Sequence, residues 1–209
     1  MIRNLKTLAL ALVAVLAMSA VVASAVQAAP QFTCSVYPCT VTGSNTAGNE
    51  TLTTPGGTVQ CDSHFEGTLS GASTQLTIVP SFSECVGFGF LNANVTEEGC
   101  VYRIISTSRL GESHYRKRVD LICPGTGLTI VAGTCHLDIP SQNGIEFVTT
   151  LNLFGVLRLT FQMSKTKMIV TKDGFGCPFT GTGETTGSYH GEVSLANTGG
   201  GGSVSASGS

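Results

Sequence analysis

The chain has 209 residues and carries 13 acidic against 11 basic side chains, a formal net charge of −2. This weakly negative balance gives no electrostatic basis for binding nucleic acid, so we expect no nucleic-acid partner. Charged residues are only 11% of the sequence, about half the usual share of a soluble domain, and Thr, Ser, Asn and Gly must therefore cover much of the surface.

Residues 1–28 have the pattern of a secretory signal peptide. Arg3 and Lys6 form a positive start, residues 8–17 an uninterrupted apolar core, and residues 26–28 a small-residue cleavage site. The alternative is an uncleaved membrane anchor, which is disfavoured because small residues crowd the end where an anchor stays bulky. We predict a secreted or extracellular protein, with association with the cell wall as an alternative. We expect no membrane partner after the signal peptide is cleaved.

All eight cysteines follow the signal segment. An even number of cysteines in an exported chain predicts four disulfide bonds. A zinc site is the alternative, but the Cys-x-x-Cys spacing typical of zinc ligands is absent. Sequence does not choose among the many possible pairings, and our hypothesis is pairing in chain order: Cys34–Cys39, Cys61–Cys85, Cys100–Cys123 and Cys135–Cys177.

After the signal segment the chain shows strand periodicity and no helical apolar stripe. Predicted strands, separated by Gly, Pro, Ser and Thr turns, lie at residues 32–42, 58–70, 74–79, 91–96, 128–131, 135–139, 145–154, 156–163, 167–171 and 185–195, with a hairpin over 99–123. Residues 43–50 are predicted to be a polar loop. We predict one all-β domain over 29–196, an antiparallel β-sandwich or barrel of about a dozen short strands linked by disulfides, and a disordered Gly/Ser-rich tail over 197–209.

Within the 99–123 hairpin the alternation is clear. Tyr115, Lys117, Val119, Leu121 and Cys123 share one face of the second arm, and the residues between them share the other. This pattern predicts a strand with one wet side.

Several short segments, taken in order, resemble a set of exported, Thr-rich, Cys-containing hypothetical proteins of high-GC Gram-positive bacteria. These segments are FTCSVYPCTVTG, TVQC, LTIVPSFSEC, GCVYRI, VDLIC, TCHLDIPSQNG and GCPFTGTG. The resemblance covers nearly the whole chain after the signal segment and implies an all-β exported domain. It carries over no functional residues.

The sharpest chemical candidates are Asp62, His64 and Glu66, which share one face of a predicted strand, and His136 and Asp138, which share a face of another. If the two strands lay side by side, these groups could hold a divalent metal or serve as general acid and base. The alternative, which the pattern favours, is a solvated strand face, because the opposite faces of the two strands carry apolar residues: Cys61 and Phe65 on one, and Cys135, Leu137 and Ile139 on the other.

Residues 114–118 (HYRKR) form the only basic cluster. Several cations together could hold an anionic cell-envelope polymer. The favoured alternative is a wet loop or edge strand, because Lys and Arg on an edge also discourage strand addition.

Known catalytic motifs are missing. There is no Gly-x-Ser-x-Gly nucleophile turn, and a complete disulfide set leaves no thiolate. We therefore expect a structural or binding module with no cofactor, with a cell-envelope polymer or protein as its partner. The alternatives are a secreted hydrolase using surface His and carboxylate groups, and a small-molecule carrier if the sheet closes into a hollow barrel.

Overall fold

The computed structural model describes residues 30–45, 50–109, 114–153, 156–172, 174–198 and 204–207. Every regular element in these ranges is a β-strand, so the prediction of an all-β fold is confirmed. The predicted signal peptide, residues 1–28, lies outside the described residues. The strands are β1 (Gln31–Cys34), β2 (Cys39–Asn45), β3 (Glu50–Thr54), β4 (Gly57–Leu69), β5 (Gln75–Gly87), β6 (Leu91–Thr96), β7 (Val101–Arg109), β8 (His114–Ile122), β9 (Leu128–Ala132), β10 (Cys135–Ile139), β11 (Gln142–Leu153), β12 (Val156–Lys172), β13 (Gly183–Asn197) and β14 (Val204–Ser207).

In the described ranges, no helix is long and apolar enough to cross a membrane.

Twelve of the strands form one antiparallel sheet in the order β10-β9-β6-β5-β7-β8-β11-β12-β13-β2-β4-β3. Additional pairings of β10 with β12, β5 with β4 and β13 with β3 return the ends of this order to its middle. Two closed circuits of neighbours result. One runs β5-β7-β8-β11-β12-β13-β2-β4, the other β5-β6-β9-β10-β12-β13-β3-β4, and the four long strands β4, β5, β12 and β13 belong to both. Closure of this kind leaves few unpaired strand edges.

The inward faces of these strands form one apolar core. Phe65, Phe161, Tyr102 and Tyr189 lie at its centre. The rings of Phe65 and Phe161 stack with centroids 5.9 Å apart, and Tyr102 lies 6.1 Å from Phe65. Because large rings bury more apolar area than other side chains, this cluster supplies much of the hydrophobic stabilisation.

Four disulfide bonds join all eight cysteines, which confirms that the chain is disulfide-bonded. They link Cys34–Cys39, Cys61–Cys85, Cys100–Cys123 and Cys135–Cys177. The partners follow one another along the sequence, so each bond closes a local loop of 42 residues or fewer. Loops of the larger sizes contribute roughly 3–4 kcal/mol each in the chain-entropy view.

Two strands are longer than the sequence predicts. β5 continues through Pro80, where the prediction ended a strand, because at Pro80 it pairs with β4 alone and no second neighbour needs the missing N–H. β12 joins the predicted strands 156–163 and 167–171 across a bulge at Lys165, which has a φ of 68°.

The C-terminal tail also differs from the prediction of disorder over 197–209. Asn197 ends β13, and residues 204–207 form β14, which pairs antiparallel with β1. Apart from a single bridge between Phe32 and Ser73, β1 has no other strand partner in the part of the chain described, so its backbone groups are available to the tail.

Candidate functional site

The surface acid and histidine candidates on β4 are engaged by their neighbours. His64 lies between the Ser44 hydroxyl, 3.1 Å from Nδ1, and the Glu66 carboxyl, 3.4 Å from Nε2. The Asn45 amide donates to the Asp62 carboxyl at 3.3 Å. The three side chains therefore form small polar contacts along the outer face of the sheet.

The second pair of candidates lies on β10, which does not neighbour β4. β10 pairs with β9 and β12, whereas β4 pairs with β2, β3 and β5. The Thr129 hydroxyl donates to Asp138 at 2.8 Å, and His136 is half-buried beside it in the strand. The two candidate strands therefore do not lie side by side, and the described residues contain no group of three or more His, Cys, Asp or Glu that could hold a metal ion.

The basic segment 114–118 divides between the two faces of β8. His114, Arg116 and Arg118 are exposed, whereas Tyr115 and Lys117 are buried. The alternation in the sequence predicts this division, and Lys117 does not belong to the exposed basic cluster. The alternative of a wet loop or edge strand is wrong, because β8 lies between β7 and β11 in the sheet.

Lys117 is held in the interior by neutral groups. Its side chain is 1% exposed, and its Nζ donates to the Ser106 hydroxyl at 2.6 Å. The same nitrogen lies 4.3 Å from the Phe32 ring centroid and 5.1 Å from that of Tyr115. Burial lowers the pKa of Lys117 to about 7, because no carboxylate compensates the desolvation of its charge.

Asp120 is a buried carboxylate whose negative charge is compensated by neighbouring hydrogen-bond donors and cations. Its side chain is 1% exposed and accepts hydrogen bonds from Arg103 at 2.8 Å and from the Gly144 N–H at 2.7 Å, with Arg118 at 3.3 Å. Burial raises the pKa of Asp120, but the Gly144 N–H and the two guanidinium groups outweigh it, so that the pKa is lowered. This is a structural ion cluster.

The interior also contains a cavity of about 50 Å³, lined by side chains from ten strands. Ten of its fourteen lining residues are apolar or sulfur-containing, among them Leu128, Ile130 and Met163. The four polar ones are Glu50, Tyr102, Thr166 and Tyr189. An apolar interior cavity with a few converging polar groups is the usual form of a small-molecule site.

Of the side chains that the structure describes, Glu50 is the only carboxylate or cationic group lining this cavity. It is 2% exposed, and the Ser63 hydroxyl donates to its Oε1 at 3.2 Å, while Oε2 has no hydrogen-bond partner among the described residues. Burial raises the pKa of Glu50 to about 7, against the opposing effect of the nearby Tyr189 and Ser63 hydroxyls. No Lys, Arg or His in the described ranges lines the cavity and could lower this pKa.

A glycine makes room for the Glu50 carboxyl. The carboxyl lies where a side chain at position 191 would begin, so a Cβ on Gly191 would overlap Oε2. The neighbouring inward residues of β13 are Tyr189 and Val193, both buried. The local sequence Tyr-His-Gly-Glu-Val therefore leaves a recess in the wall that the acid fills.

The two tyrosines of the cavity stay neutral. Burial raises the pKa of Tyr102, and the Glu50 charge raises it further. Burial raises the pKa of Tyr189 well above its usual range, with Tyr102 and Glu50 adding to the effect. The Tyr189 hydroxyl lies close enough to both Glu50 and Tyr102 to influence them, but completes no hydrogen bond of standard geometry among the described residues.

The bulge in β12 places a third polar group in the cavity. Met163 and Thr166 both line it, although a regular alternation would pair Met163 with Lys165. The extra residue at Lys165 shifts the register so that Thr166 faces inward, the usual effect of a β-bulge next to a site. Its Oγ1 is buried and has no partner among the described residues.

Sequence analysis did not identify Glu50. It places this residue at the end of the predicted polar loop 43–50, whereas Glu50 opens β3. The signal was the alternation of Glu50, Leu52 and Thr54, all buried, with the two residues between them. Because Glu50 and the buried Leu52 share one face of the strand, the alternation indicates that the Glu50 side chain points inward.

No protein-family model matches the chain, and neither the curated proteins nor the solved structures contain a match at a significant level.

Proposed function

We propose that the protein is an exported binding module whose ligand occupies the interior cavity beside Glu50. Export is supported by the signal-peptide pattern of residues 1–28 and by four disulfides, which are consistent with an extracellular protein. We also propose that the exported protein associates with the cell wall.

One observation carries the binding function. Glu50 Oε2, the Tyr189 hydroxyl and Thr166 Oγ1 belong to buried residues that line one apolar cavity, and none has a hydrogen-bond partner among the described residues. A buried polar atom without a partner costs about 1–3 kcal/mol. A molecule in the cavity that supplies partners to these groups would recover part of this free energy.

The lining favours binding over hydrolysis. A hydrolase built from carboxylate and imidazole needs both at one site, and none of the four histidines lines the cavity. Among the described candidates, His64 pairs with Glu66 on the outer face instead. The ligand is small, because a cavity of about 50 Å³ holds a molecule of a few heavy atoms.

The test is a titration with 1-butanol, a neutral probe of this size, followed by NMR of the methyl groups. Saturable shifts at Ile130 and Met163, with none at Leu69, which is buried but does not line the cavity, are the expected result. Thr166→Val should weaken butanol binding, because it removes a hydroxyl partner, and Thr68→Val on the exposed face of β4 should not. Shifts at Ile130 and Met163 that never saturate, for butanol and for charged molecules of the same length, would refute the cavity as a binding site.

A further inference from the structure

We propose that the cavity selects a small organic cation, an aliphatic amine whose ammonium group pairs with the Glu50 carboxylate while its alkyl chain lies among the apolar walls. This inference rests on the proposed function and specifies the chemical class of its ligand.

The first argument is charge. Among the described residues, Glu50 is the one carboxylic acid lining the cavity, and no Lys, Arg or His lines it. A buried carboxylate without a counter-ion is unstable relative to a paired one, because its desolvation is uncompensated. An ammonium ion supplies the missing charge, a neutral alcohol supplies only a donor, and a carboxylate ligand would be repelled.

The second argument is the number of hydrogen-bonding groups. A primary ammonium group carries three N–H donors and no acceptor. Three residues that line the cavity, Glu50, Tyr189 and Thr166, each have a buried oxygen without a hydrogen-bond partner of standard geometry among the described residues. All three can accept, whereas a hydroxyl ligand has a single proton to offer them.

The third argument is the aromatic lining. Phe82, Tyr102 and Tyr189 line the cavity together with Glu50. Aromatic ring faces attract cations, and the effect grows when the cation is desolvated. Rings and a carboxylate at one apolar site are the combination by which proteins bind organic ammonium ions.

The protein already holds one alkyl amine in this manner. The Lys117 side chain lies in the interior with its nitrogen over the Phe32 and Tyr115 rings and bonded to the Ser106 hydroxyl. That environment contains ring faces and a hydroxyl but no carboxylate, and burial lowers the pKa of the amine. The Glu50 cavity adds the carboxylate that Lys117 lacks, so it should hold an amine in the charged form.

Binding should depend on pH through Glu50 alone. The titratable groups that face Glu50 are Tyr189 on β13 and Tyr102 on β7, and Glu97 acts on Tyr102 from β6–β7. Burial first, and then the neighbouring charges, raise the pKa of both tyrosines, so they remain neutral. Below pH 7 Glu50 becomes protonated and loses its attraction for an ammonium ion, since burial raises its pKa to about 7.

The experiment compares 1-butylamine, 1-butanol and butyrate by NMR titration of the same methyl groups at pH 8 and pH 5.5. At pH 8 we expect butylamine to bind at least about tenfold more tightly than butanol, which corresponds to one charge-assisted hydrogen bond, and butyrate not to bind. At pH 5.5 the advantage of the amine should disappear. Glu50→Gln should abolish it at pH 8, and Glu66→Gln, an exposed acid on β4, should preserve it.

Each other outcome is informative. Equal affinities for butylamine and butanol at pH 8, or an amine preference that survives Glu50→Gln, would overturn the cation proposal and leave the binding function standing. Absence of binding by all three probes would overturn both. If Glu50→Gln does not fold, the carboxyl carbon of Glu50 in the unsubstituted protein gives the same answer, because saturation with butylamine must lower its pKa and saturation with butanol must not.

Discussion

Glu50 and Asp120 are both carboxylates with almost no exposed surface, and their surroundings are opposite. Two guanidinium groups and a backbone N–H surround Asp120, which lowers its pKa despite burial. Glu50 faces an apolar cavity, two neutral tyrosines and one serine hydroxyl, and burial raises its pKa to about 7. The first arrangement satisfies the acid within the protein and stabilises the fold. The second leaves capacity for an external partner, which is what a binding site requires.

Lys117 lies between these two cases. It is buried like both acids and has a hydroxyl partner, but no opposite charge compensates it. It does not line the cavity beside Glu50, and its lowered pKa reflects burial. Burial of an ionisable group therefore does not by itself mark a site in this protein. The distinguishing features are the adjoining cavity and the polar atoms without partners.

The largest expected effect is at Asp120. Asp120→Ala removes the partner of Arg103 and Arg118 and leaves the Gly144 N–H unsatisfied, and we expect a loss of about 4 kcal/mol in the free energy of unfolding. Urea unfolding of the oxidised protein at pH 7 measures it. Glu66→Ala, whose pair with His64 is exposed, should change the value by less than about 1 kcal/mol. Similar losses for the two variants would show that Asp120 is not a structural ion cluster.

Replacing Glu50 should change the free energy of unfolding in the opposite direction and stabilise the protein. Its pKa is raised from 4.5 to about 7, so the folded protein binds more protons than the unfolded chain between these values, and stability falls as the pH rises through that window. Glu50→Gln should remove this fall and raise the free energy of unfolding at pH 8 by about 3 kcal/mol, with little change at pH 4. Unfolding curves at both pH values test it. A loss of stability at pH 8 would mean that the acid is compensated after all.

Lys117 should give a smaller gain. Its pKa is lowered from 10.5 to about 7, so the unfolded chain binds more protons between these values and stability rises with pH across that range. Lys117→Met keeps the length of the side chain and removes the charge. It should raise the free energy of unfolding at pH 6 by about 2 kcal/mol, less than the pKa shift alone implies, because Met loses the hydrogen bond to Ser106 and the ring contacts of the amine. The rise with pH should flatten in the variant. If stability rose with pH by the same amount in the variant, groups other than Lys117 would be the cause of the rise.

The smallest effect tests the recess at Gly191. Gly191→Ala places a methyl group against the Glu50 carboxyl and should cost about 1 kcal/mol. In a Glu50→Ala background the same substitution should cost nearly nothing, so the two changes should be coupled in a double-mutant cycle. Gly181→Ala is the control, because a Cβ there meets no atom within 4 Å. Additive effects would contradict the contact.

Much of the fold could be predicted because alternation reports burial directly. Tyr115, Val119 and Leu121 are buried as their period of two predicts, and the hairpin of β11 and β12 forms where the sequence places it. Lys117 has the same periodicity and is buried with them, although lysine is usually exposed. Its phase in the strand is therefore a better guide to its burial than its residue type.

The candidate site was harder to predict because its parts are distant in sequence. Glu50, Tyr102, Thr166 and Tyr189 lie on four strands and meet only through the closed circuits of the sheet. Thr166 faces the cavity only because of the bulge at Lys165, and nothing in a Ser-Lys-Thr run marks a bulge. A constellation that depends on register and topology cannot be found by motif.

The last long strand of the chain also completes the architecture. β13 pairs with β2 and β3 near the beginning of the described chain, as well as with β12. No disulfide links β13 to these strands, because every bond lies between Cys34 and Cys177 and joins neighbouring cysteines in the sequence. A nascent chain that ends before residue 183 would therefore hold every cystine and still expose three unpaired borders. Such a truncated product should be oxidised correctly and yet self-associate, because open strand borders recruit one another.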